Sequence, residues 1–80
     1  MQFYEYRGYT IYPAPHLVIG SGCWSIELII NHNLSTNTYG NDTVYPTKGE
    51  AFFHSIQYGK ELIDNGTVLF TEAVESTHIN

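Results

Sequence analysis

The sequence predicts an α+β domain, a three-stranded antiparallel sheet with one amphipathic helix packed across one face, in the order β-β-β-α. A fourth strand is added if the segment after residue 66 pairs with the sheet. Three observations carry this expectation. Residues 46–66, "PTKGEAFFHSIQYGKELIDNG", have helical periodicity with a start and a stop signal. Residues 23–31, "CWSIELIIN", alternate as a strand does. Residues 3–13, "FYEYRGYTIYP", are aromatic and β-branched around an Arg-Gly pair.

In chain order, Arg7-Gly8 reads as a tight hairpin or bulge, although a two-residue loop prefers Asn-Gly. Tyr9–Tyr12 is the next strand, and Pro13 ends it because proline has no N–H for a ladder. "PAPHLVIGSG" is then a connection, with its Val18-Ile19 pair open to extending either neighbouring strand. In the central strand Trp24, Ile26, Leu28 and Ile30 share one wholly apolar face, which must meet the core. Ser25, Glu27, Ile29 and Asn31 share the other, so the sheet has one covered and one open face. "HNLSTNTYGND" reads as a polar turn-forming stretch, with a bulge or loop at Gly40-Asn41-Asp42, and "TVYP" resumes strand character, with Thr38 and Tyr39 open to belonging to the same strand before the interruption.

The helix opens on Thr47 as N-cap, with Glu50 three residues on in the capping-box arrangement. At 100° per residue, Ala51, Phe52, Ser55, Ile56, Gly59, Leu62 and Ile63 form one arc to face the sheet. Glu50, His54, Gln57, Glu61 and Asp64 lie opposite. Asn65-Gly66 stops the helix. Gly59 costs about 1 kcal/mol against alanine in mid-helix, which implies close backbone approach to the sheet near Trp24 or Tyr9. Residues 1–66 thus form the domain, and 67–80 a short strand or arm followed by a frayed tail.

Eighty residues with 42% hydrophobic content suffice for one core. Arg7, Lys48 and Lys60 are the only fixed cations, and the net charge is −5. Three scattered cations make no basic patch, which argues against double-stranded nucleic acid and against anionic membranes. Cys23 is the only cysteine, so there is no internal disulfide, and it reads as a partly buried thiol. With no signal-like N-terminus and no long apolar run, the expected location is the cytoplasm. The Asn-x-Ser/Thr matches at Asn33, Asn41 and Asn65 then carry no glycosylation.

The histidines, His16, His32, His54 and His78, show no metal-ligand spacing, and Cys23 has no nucleophile frame around it. Glu50, Glu61 and Asp64 share a solvated helix face rather than a cleft. The expectation is a non-enzymatic domain without cofactor or metal. Seven tyrosines, four of them between Tyr4 and Tyr12, exceed what so small a core needs. Outward tyrosines supply rigid contact area at low entropic cost. The candidate interaction surface is therefore Tyr4, Tyr6, Tyr12, Glu27 and Ile29, serving self-association through the open face or an edge strand. Two other readings are an acidic inhibitor or antitoxin-like protein for a basic target, and weak binding of single-stranded nucleic acid through surface tyrosines.

Tyr4-x-Tyr6-Arg7-Gly8-Tyr9-x-Ile11, Gly22-x-Trp24, Thr47-x-x-Glu50-Ala51 and Tyr58-Gly59-Lys60-x-x-Ile63-Asp64 together resemble a family of small uncharacterised proteobacterial proteins. The resemblance covers residues 3–66 and implies a bacterial protein with a β-β-β-α fold, but no catalytic residue, cofactor or ligand. By order of elements alone, the chain also resembles the arm-binding domains of tyrosine recombinases and HicB-type antitoxins. The recombinase domains place Arg and Lys on the open sheet face, where this chain has Thr10, Tyr12, Ser25, Glu27, Ile29 and Asn31. That departure counts against DNA.

Overall fold

A computed structural model of the chain describes residues 2–68. It is a small α+β fold with an antiparallel sheet of five strands and one helix. The strands are β1 (Tyr4–Tyr6), β2 (Tyr9–Pro13), β3 (His16–Val18), β4 (Cys23–His32) and β5 (Ser35–Tyr45), followed by α1 (Lys48–Asp64). The expected final strand falls largely in 69–80, outside the described residues.

Strand β4 organises the sheet. β5 pairs along one edge, from Trp24↔Tyr45 to His32↔Ser35. The other edge holds β2 (Thr10↔Asn31 to Pro13↔Leu28) and then β3 (His16↔Ser25 to Val18↔Cys23) in the same register. β2 and β3 therefore lie on one line, and Ala14 N–H donates to the Glu27 carbonyl at 2.8 Å between them. Alternation turns the nitrogens of Pro13 and Pro15 away from β4, so neither proline removes a bond from that ladder. The expected end of the strand at Pro13 is thus corrected: the line resumes at His16.

The turns explain the two hairpins. Arg7 (φ 54°) and Gly8 (φ 85°) both adopt positive φ between paired Tyr6 and Tyr9, as a type I′ turn requires. Asn33 (φ 58°) opens the two-residue loop between His32 and Ser35. The stretch 32–42, expected as a turn-forming segment, is therefore the last residue of β4, a tight turn and most of an eleven-residue strand. Asn37, Tyr39 and Tyr45 lie beside Ile30, Leu28 and Trp24 on the helix side, and Thr36, Thr38 and Val44 take the open side.

The helix behaves as its signals predict. Thr47 Oγ1 accepts from Glu50 N–H at 3.1 Å. At the other end Gly66 (φ 71°) donates to Ile63 O at 3.2 Å and Thr67 to Leu62 O at 2.9 Å, a Schellman closure. Ala51, Ser55, Gly59 and Leu62 are buried against the sheet. The buried Ser55 hydroxyl donates to Ala51 O at 2.7 Å, so it leaves no unmet polar group. Ile11, Leu28 and Ile30 are fully buried, and Ile26, Leu62 and Val68 complete the core. Gly59 sits over Leu28 and Ile11, not over Trp24 or Tyr9 as expected.

Candidate interaction surface

The open face is built by parity. The register Tyr12↔Ile29 places those side chains together on the side away from the helix, and Glu27 lies on the same face. Phe3 joins them, its ring 5.7 Å from that of Tyr12 at a 48° tilt. Phe3 is 55% exposed and Val44, on the same face at β5, is 46% exposed. Glu27 Oε1 pairs with His16 Nε2, whose strand β3 runs alongside. The result is an apolar strip of Phe3, Tyr12 and Ile29 bordered by an acid–imidazole pair.

Tyr4 and Tyr6 do not join this strip. Because Tyr4 pairs with Ile11 and Tyr6 with Tyr9, both fall on the helix side. There Lys60 Nζ lies 4.5 Å from the Tyr4 ring centroid and 5.5 Å from that of Tyr6. Tyr6 O–H donates to both Asp64 oxygens, at 2.8 and 3.0 Å. Arg7 Nε completes the clasp at 3.1 Å from Asp64 Oδ1. A carboxylate in the last turn of a helix meets the negative end of its dipole, and Arg7 offsets that repulsion. The Tyr6 side chain and then Asp64 raise the Arg7 pKa above its ordinary value. These tyrosines fasten the first hairpin to α1.

Other residues also move from their expected places. His16 and His32 lie at opposite ends of β4. His54, expected as a surface histidine, is half-buried with its ring stacked on Tyr45 at 4.3 Å and 1°. Cys23 is partly buried at the start of β4. Among the described residues no group of three His, Cys, Asp or Glu side chains could hold a metal ion. No helix there is long and apolar enough to cross a membrane.

A second feature lies on the helix side. The β4–β5 register shifts between Ser25 and Glu27, so that Asn41, Asp42 and Thr43 stand opposite Ile26 alone. Such a bulge lifts the strand locally. Beneath it is a cavity of about 140 Å³, open on one side and lined by Ile26, Asn41, Thr43, Tyr45, His54, Gln57, Tyr58 and Glu61. Gly40-Asn41-Asp42 signals the bulge in the sequence, but the helix residues facing it have no signal of their own. Gly40 is fitted to this irregularity: an added Cβ would stand 3.0 Å from Ile26 O.

The chain matches no family model, no curated protein and no solved structure.

Proposed function

We propose that this chain is a small non-enzymatic interaction module that associates with a second copy of itself through the open face of its sheet. The observation that supports this reading is the contiguous strip of Phe3, Tyr12 and Ile29, on a face that no other described element covers. The helix covers only the opposite face. A two-fold pairing of such strips is self-complementary, as isologous interfaces require. Glu27 and His16 at its border supply opposite charges when the imidazole is protonated, which sets register more than affinity. Two chains of net charge −5 repel at long range, so added salt should strengthen an apolar contact between them.

Sedimentation velocity over a hundredfold concentration range tests the proposal. A monomer–dimer equilibrium that tightens with salt supports it, with Ile29→Lys monomeric and unchanged in circular dichroism. A monomer throughout the range, or a dimer indifferent to Ile29→Lys and to Tyr12→Glu, overturns it.

A further inference from the structure

The cavity under the β5 bulge carries an inference independent of self-association. Of its lining residues, Glu61 is the one carboxylate, and neither Lys nor Arg is among them. The three fixed cations are committed elsewhere: Arg7 to Asp64, Lys60 over Tyr4 and Tyr6, and Lys48 over Trp24 at 5.6 Å. Glu61 therefore faces this space with no described cation beside it. The other walls are rings, polar groups that both donate and accept, and the aliphatic Ile26. Tyr45 stacks flat on His54, Tyr58 adds a third ring, and Thr43 and Gln57 add a hydroxyl and an amide. Asn41 Oδ1 accepts from Thr43 N–H at 2.9 Å and so holds the bulge in shape.

Size and chemistry narrow the occupant. About 140 Å³ equals the share of four or five waters at about 30 Å³ each, well below the roughly 300 Å³ of a drug-sized pocket. It suits a planar group of about four heavy atoms. A guanidinium is planar and permanently charged, stacks on aromatic faces and donates several hydrogen bonds in one plane to carboxylate and amide oxygens. The geometry points to a guanidinium-binding slot formed by Glu61, Tyr45, His54 and Tyr58. The group belongs either to a free small molecule or to an arginine side chain of another protein.

The test is an NMR titration of the full-length chain at pH 8 with methylguanidinium, with methylurea as its neutral counterpart. The expected result is saturable shifts at the Thr43 and Gln57 amides and the Tyr45 and Tyr58 rings with methylguanidinium, and none with methylurea. Glu61→Gln keeps the shape and removes the charge, and should weaken binding about tenfold. Asp42→Asn, at the same bulge but outside the cavity lining, should change it by less than about twofold. A matched pair, N-acetylarginine methylamide and its citrulline analogue, separates the sources. Tighter binding of the arginine compound than of methylguanidinium assigns the slot to a partner's side chain, and weaker binding assigns it to a free small molecule. Equal shifts with methylurea, linear shifts spread over every carboxylate, or a Glu61→Gln variant that folds and binds as before would overturn the assignment.

Discussion

Replacing Gly59 by alanine sets two effects of known sign against each other. Alanine in mid-helix is worth about 1 kcal/mol over glycine, so propensity alone predicts a more stable protein. Packing predicts the reverse. A Cβ at position 59 would stand 2.8 Å from Leu28 Cδ1, 3.0 Å from Ile11 Cδ1 and 3.1 Å from Ile11 Cγ2. The Leu28 methyl is a chain end, but that side chain is fully buried and has little room to swing. Ile11 Cγ2 hangs directly from Cβ and retreats only by a χ1 rotation in a fully buried site or by a shift of β2. Overpacking of this kind costs roughly 1–3 kcal/mol, so the net expectation is a loss of about 1 kcal/mol. At a urea m-value of about 1 kcal/mol/M, the midpoint should fall by about 1 M. Ile11→Val removes the Cδ1 contact and should recover part of the loss in a double-mutant cycle. A Gly59→Ala midpoint above that of the parent would refute the close-approach argument and leave the glycine without a packing reason.

Two further outcomes follow from the caps and the core. Thr47→Ala removes the acceptor for Glu50 N–H and should cost about 1 kcal/mol in urea denaturation, while Thr47→Ser should cost little. Burial raises the Tyr39 pKa above its ordinary value near 10. Above that pH the unfolded chain loses the proton first, so Tyr39's contribution to stability is present below pH 10 and is lost as pH rises through the folded value. Tyr39→Phe should flatten the fall in melting temperature between about pH 9.5 and 11. An equally steep fall in that variant would assign the effect to other groups.

What was legible in the sequence is what local chemistry decides. Both helix ends were readable because their capping groups lie within one turn of sequence. The inward face of β4 was readable because three Ile or Leu residues alternate there. β5 was not, since its Thr, Asn, Gly and Asp residues favour turns; its extended form comes from pairing with β4, where strand propensity is set. The line through β3 was missed because proline reads as a terminator unless the direction of its nitrogen is known. Tyr4 and Tyr6 could not be placed without the loop length at Arg7-Gly8, which decides whether they share the face of Ile11 or of Tyr12. The bulge was signalled by Gly40-Asn41-Asp42, but the cavity exists only because α1 happens to run beneath it.

The outward-pointing nitrogens of Pro13 and Pro15 have a consequence for how copies of this chain could grow into larger objects. A sheet with two receptive borders can add chains head to tail without limit, and such growth ends in fibres. Here one border consists of the three-residue strands β1 and β3 and the Pro-Ala-Pro stretch between them, which offers no donor at two of three successive positions. The other border is eleven-residue β5. Front-to-back stacking is therefore disfavoured on that side, and among the described residues the longest strand-to-strand union left open is β5 against β5. That union uses up both long borders at once, so growth by strand pairing alone terminates at two.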